Sequence, residues 1–385
     1  MSISNRPAGL TRILNPLAAL ALAAAALAPA SAFASTAANT TIVNTATVNY
    51  NDAGNNPQTA VQASATVLVT LVPSAPLLSS PANVPGASQG TATVLTYTIT
   101  GTANGQDTYT LGSNVVSANV SAVTATVQAS ISLGGTTLAG PAAAGNNSIL
   151  APYDGVPGNG SLNGLIVGSV ISIGGNPYTI TTITKNAVAN TTTIGINTPI
   201  VGATVAAGLI VGETKLFTVS VPSGNVTSGN SGTETVTTTA TGSGGVSTTQ
   251  GTPTVITVQR PTLTVTKTVS IDGGANFNAS ANAPPGTVLV YKIVATNTGT
   301  SAANAVTFTD VIPQYLTYVA NSGKYSTVAT ATYTTSTTAL ADGAAGYTFA
   351  ANTVGYNPAS VSGSTIGTVA GSGGVLILFF QAKIN

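Results

Sequence analysis

The sequence predicts an all-β protein, built of tandem immunoglobulin-like β-sandwich domains with an N-terminal strand pair and a β-rich insertion in the middle domain. Three observations carry this. The 385 residues include no His, Cys or Trp and only nine basic and eight acidic residues. In their place stand Thr, Ser, Val, Ala, Asn and Gly in short alternating runs, which suit pleated, half-buried strands joined by Gly and Asn turns. Finally, Thr93 to Ile99 is echoed by Thr287 to Ile293, an internal repeat that repeated sandwich modules explain most simply.

Residues 1–34 read as a secretory signal. Arg6 and Arg12 flank a polar start, Leu14 to Ala28 is an apolar run broken only by Asn15 and Pro16, and Ala32-Phe33-Ala34 fits a small-x-small cleavage site. The run is shorter than the roughly 20 residues of a spanning helix. Without Arg6 and Arg12, seven basic residues face eight acidic ones, so no membrane span and no nucleic-acid partner is expected of the mature chain. An exported chain without cysteine must draw its stability from cores, ladders or some other crosslink.

Residues 35–75 follow as a strand pair, Thr41 to Tyr50 and Val61 to Leu71, around the turn Asn51 to Pro57. Val61, Ala63, Ala65, Val67, Val69 and Leu71 fall on one face, and a lone hairpin is marginal in water, so the pair has to dock on something. Residues 76–258 form the middle domain. Thr93 to Ile99 and Thr108 to Leu111 are strands with a turn at Asn104-Gly105, and Lys215 to Val221, Thr233 to Thr239 and Thr254 to Val258 complete the sandwich. Between them, about 134–212 reads as an inserted β subdomain with strands at Leu165 to Ile173, Tyr178 to Ile183 and Thr191 to Ile196.

Residues 259–385 carry an ordered set of motifs: Leu263 to Val269, Asp272-Gly-Gly274, Pro285-Gly286, Tyr291, Asn297-Thr-Gly299, Ala303-Asn304, Thr309-Asp310 and Ile312-Pro313, closed by Gly374 to Asn385. This set resembles the repeat domain of unknown function numbered eleven of bacterial and archaeal surface proteins. The resemblance covers about a third of the chain. It implies an immunoglobulin-like sandwich at a cell surface or in a secreted protein, and no catalytic activity. Independently, Tyr291, Ile293 and Ala295 alternate along a strand, Asn297-Thr-Gly299 supplies a turn that tolerates positive φ, and Leu376 to Ala382 suits a central or doubly covered strand.

Few residues here carry chemistry. Lys267 with Asp310 and one of Asn297, Asn304 or Asn385 has the parts of a Lys–Asn isopeptide bond. The competing reading is a solvent-facing Lys and a turn-forming Asp. Asp272 to Asn278 presents oxygen ligands but a single carboxylate, so it reads as a glycine-rich turn and not as a metal site. Glu213 and Glu234 are the only glutamates, and no nucleophile motif accompanies either, so no enzyme and no cofactor is expected. The function predicted is a secreted structural subunit of an extracellular filament or surface layer. It would assemble head to tail with copies of itself by β-strand addition through residues 36–72. The alternative is a monomeric secreted adhesin or matrix protein whose N-terminal strands fold in cis and whose insertion is the binding surface.

Overall fold

The computed structural model describes residues 36–385. The signal sequence expected over 1–34 lies outside the described residues. Among those residues the chain is all-β, apart from one 3-10 turn at Pro358–Ser360. No described helix is long and apolar enough to cross a membrane.

Alternation decides where the sheets face. In strand Ser231–Thr241 every second residue is buried, and in strand Ala92–Thr100 Leu95, Tyr97 and Ile99 are buried while Thr96 is exposed. These inward residues meet. Leu95, Tyr97, Ile99, Phe217 and Val219 from one sheet share a core with Tyr109, Leu111, Val236, Ile256 and Val258 from the other, as a two-sheet sandwich requires. Strand Val84–Ser88 pairs in parallel with Thr254–Gln259, while the other ladders of that second sheet run antiparallel. Strands Ala92–Thr100 and Asp107–Ala118 do not form a hairpin across Asn104-Gly105. They lie in opposite sheets, the first against Ile210–Pro222 and the second against Ser231–Thr241.

The 134–212 stretch extends the first sheet through Val170–Ile173, Asn176–Asn186, Thr191–Ile196 and Ser148–Pro152. It has a core of its own in which Ile149, Leu162, Ile171, Tyr178, Ile194 and Val211 are buried. The run expected as one strand over Leu165 to Ile173 is broken into Leu165–Ile166 and Val170–Ile173 by Gly168, which has a positive φ.

After Arg260 the chain builds a second sandwich. Strands Leu263–Ser270, Val288–Asn297 and Gly374–Ile384 lie side by side, with Gly374–Ile384 central. Its Leu376, Leu378 and Phe380 pack inward against Phe308, Tyr347, Val354 and Tyr356 of the facing three-stranded sheet. Its Ile377 and Phe379 are buried on the other face with Val290, Ala331 and Tyr333, so this strand is covered on both sides and reads as an unbroken apolar run. The repeated motif occupies equivalent places. Tyr97 opposes Phe217 and Tyr291 opposes Phe380 in their ladders, and each pair stacks with ring centroids 5.3 Å apart. Gly299 does not adopt a positive φ. A Cβ there would sit 2.4 Å from the Thr262 amide, so the glycine serves close backbone approach.

Candidate functional site

Among the described residues the N-terminal strands Thr41–Val48 and Val61–Leu68 pair with each other and with no other strand. Directly opposite residues of an antiparallel ladder share a face. Register therefore puts Ile42, Ala46 and Val48 beside Val67, Ala63 and Val61, with Ala65 opposite Asn44, the one polar residue of that face. The other face carries Thr41, Val43, Thr45 and Thr47 against Leu68, Thr66, Ser64 and Gln62. The ribbon is thus amphipathic, yet every residue from Ile42 to Val48 and from Val61 to Leu68 is exposed. Among the described residues the shaft is not covered by the body, which it borders only near the root, where Thr41 and Val43 face Tyr153, Val188 and Asn190.

Its root is fixed. Asn104, fully buried, accepts the Val72 amide at 2.7 Å and donates to the Thr36 and Thr70 carbonyls at 2.8 and 3.3 Å. Asn163 donates to the Ala38 carbonyl and accepts from the Asn39 side chain. Ala37 and Ala38 are buried there, and Gly105 leaves the space, since a Cβ on it would meet Ala38 at 2.6 Å. Of the residues expected on the docking strand, Val61, Ala63, Ala65 and Val67 lie on the free shaft. Val69 and Leu71 do not: both are half-buried at the root, where the Asn39 amide donates to the Val69 carbonyl at 2.8 Å. At the tip, the Asp52 carboxylate accepts the amides of Gly54 and Asn56, and the Asn56 backbone bond above all holds its pKa below the usual carboxylate range.

Lys267 and Asp310 do meet. The Lys267 ammonium lies 2.8 and 2.6 Å from the two Asp310 carboxylate oxygens and 4.9 Å from the centre of the Tyr291 ring. None of the three asparagines joins them. Lys267 opposes Ile293, so Asn297 stands four ladder positions away, roughly 13 Å at about 3.3 Å per residue. Its amide donates to the Ser301 and Val369 carbonyls and its oxygen accepts from Thr262 and Gly299. Asn385 bonds Thr317 and Gln314 past the far end of the last strand, and Asn304 is exposed on a loop.

Three other acids are held by donors of the fold. Glu213 accepts from the Gly134 amide and Ser169 hydroxyl and lies 3.1 Å from the Lys215 ammonium. Glu234 accepts from the Gly224 amide inside the first sandwich, and burial raises its pKa. The Asp272 carboxylate is taken up by the amides of Ala275 and Asn276 and by the Ser270 hydroxyl, a closed turn. Sequence reading missed the buried pair of Lys185 with Asp154, 2.9 Å apart, because its partners are 31 residues apart, one on strand Asn176–Asn186 and the other in the loop after Ser148–Pro152.

No family model matches the chain, so the resemblance to a numbered repeat family stands on its motifs alone, and no curated protein matches. Among solved structures, the chain is similar to the C-terminal domain of the antigen I/II-family protein AspA of Streptococcus pyogenes, at 11% identity over 89% of this chain and 90% of that one, with a TM-score of 0.27. It is also similar to the C-terminal domain of the AgI/II polypeptide BspA of Streptococcus agalactiae, at 12% identity over 79% and 86%, TM-score 0.26. A third is the collagen adhesin of S. aureus, at 10% identity over 79% and 84%, TM-score 0.19. At such scores and identities the likeness assigns this chain no function.

Proposed function

We propose that the protein is a secreted structural subunit of an extracellular filament or surface layer, in which the ribbon of one copy docks on the next. One observation carries the reading: a two-stranded ribbon, tied to the body at its root, whose apolar face is left uncovered along its whole shaft. Isolated hairpins are marginal in water, and exposed strand edges invite pairing with another chain. A ribbon whose shaft stands clear of its own body presents that face to another molecule. Because the ribbon and whatever receives it are different surfaces, the contact is head to tail and propagates. The low charge of the chain does not oppose close association. This organisation leaves 35–75 as the docking element, 76–258 and 259–385 as the load-bearing sandwiches, and 134–212 as a lateral addition. Export rests on the leader read over 1–34.

The test is negative-stain microscopy and sedimentation of the purified secreted chain beside Val61→Lys/Val67→Lys. Both positions are exposed, so the variant should melt with the parent while failing to form fibres. A variant that still assembles at the parent's concentration would sink the reading, as would a parent that stays monomeric.

A further inference from the structure

The second sandwich is open along one edge. Strand Leu263–Ser270 pairs with Val288–Asn297 and, among the described residues, has no strand on its other side. At its far end Val269 exchanges both backbone bonds with Asn278. Alternate residues of a strand direct their backbone groups to the same side, so Leu263, Val265 and Lys267 point theirs outward as Val269 does, and none of the three has a backbone partner there. The side chains are uncovered as well. Leu263 and Val265 oppose Asn297 and Ala295 and so lie on the core face of the sheet. Asn297 and Ala295 are 0% and 2% exposed, but Leu263 and Val265 are 41% and 63% exposed. The facing sheet stops at Phe308–Val311 and leaves a cleft of about 500 Å³ bounded by Pro261, Leu263 and the 303–307 loop. Further along the same strand Lys267 pairs with Asp310 of the facing sheet.

We infer that this cleft receives strand Val61–Leu68 of a second copy of the chain, which would complete the sheet beside Leu263–Ser270 in trans. The inference rests on the assembly reading above and names its acceptor. Three features select the occupant. The cleft wall from Pro261 to Val265 and over 303–307 holds no charged residue, and strand Val61–Leu68 is uncharged too, with small Ala63 and Ala65 at its middle. The ribbon's other strand is flanked near its root, where the Asn190 side chain donates to the Thr41 carbonyl, so the Val61–Leu68 edge is the free one. Backbone bonding then decides between modes of contact. Stacking two ribbon faces would bury apolar side chains but form no ladder hydrogen bond. A strand inserted at the cleft also gains ladder hydrogen bonds along one edge and covers Leu263 and Val265.

The test is fibre formation by Val265→Lys, with melting recorded on the same sample and the ribbon variant Val61→Lys/Val67→Lys alongside. Val265→Lys should melt as the parent does and need at least about tenfold more protein to assemble. Because the chain has no cysteine, Ala65→Cys and Val265→Cys proteins can also be mixed and oxidised, and a disulfide-linked pair should form from the mixture and not from either alone. If Val265→Lys assembles like the parent and the mixture gives no linked pair, while the ribbon variant still fails, the acceptor named here is wrong and the ribbon reading survives. If the parent itself makes no fibres, both fall.

Discussion

Glu234 sits among Val236, Thr238 and Ala240 on the buried side of its strand and is itself fully buried. Burial outweighs the Gly224 amide bond and raises its pKa above 4.5, so as pH climbs past that value the unfolded chain loses this proton before the folded one does. Stability from this group therefore falls from about pH 4.5 up through its native value and is level above. Glu234→Gln keeps an oxygen for the Gly224 amide and should melt higher than the parent at neutral pH, with the difference vanishing in acid; melting curves across that range check it. Asp272 has the opposite sign. Hydrogen bonds, first that from the Asn276 amide, hold its pKa below 3.8, so its contribution is present above that value and is lost as pH falls. Asp272→Asn should flatten the acid limb of the same curves. At Lys267 the chemistry is ionic: the carboxylate is in place and no asparagine amide is, so the intact mass should show no loss of ammonia. A deficit of one ammonia that disappears in Lys267→Arg would overturn that expectation.

Ser231–Thr241 obeys the period-2 pattern that predicted it, whereas Gly374–Ile384, covered on both faces, does not, and a pattern can also run on past the strand. Val61 to Leu71 alternates without a break in sequence, and what stops the shaft at Leu68 is the bonding of Val69 and Asn39 at the root. Asn104 read as a turn former, a role its type favours. Its partners, the Thr36 and Thr70 carbonyls and the Val72 amide, lie more than 30 residues away, and no local signal marks them. The same limit hid which face of the ribbon is apolar as a whole, because Ile42, Ala46 and Val48 join Val61, Ala63 and Val67 only through register. Lys267 and Asp310 were legible as a pair because each belongs to a motif of the third segment. Their separation from Asn297 follows from ladder position, which the sequence does not state. Asn104→Ala removes three part-buried hydrogen bonds, each worth about 0.5–1.5 kcal/mol. Hydrogen exchange at Val72 should quicken by tenfold or more while the cores beyond it keep their protection. Unchanged exchange at Val72 would show that the root is held by something other than this side chain.

Across the whole molecule, two sandwiches repeat one device, a Tyr on an inner strand stacked on the Phe opposite it, and they meet through a small polar joint. Asn230 supplies much of that joint. Its carbonyl accepts from the Arg260 amide and the Thr300 hydroxyl, its side-chain oxygen accepts from Thr262, and its side-chain amide donates to the Thr298 carbonyl. Among the described residues no buried apolar cluster holds residues of both sandwiches. Coupling carried by a handful of hydrogen bonds worth about 1 kcal/mol each is weak beside the cores it joins. The sandwiches should therefore unfold as separable units. Phe217→Ala and Phe380→Ala each open a cavity under a stacked Tyr and should each cost about 3–5 kcal/mol. In calorimetry each should lower one transition and leave the other in place, and Asn230→Ala should move the two transitions further apart without lowering the more stable one. A single transition that both Phe variants shift equally would mean that the joint transmits the full stability of one sandwich to the other, and that a pull along an assembled fibre would be borne by both together.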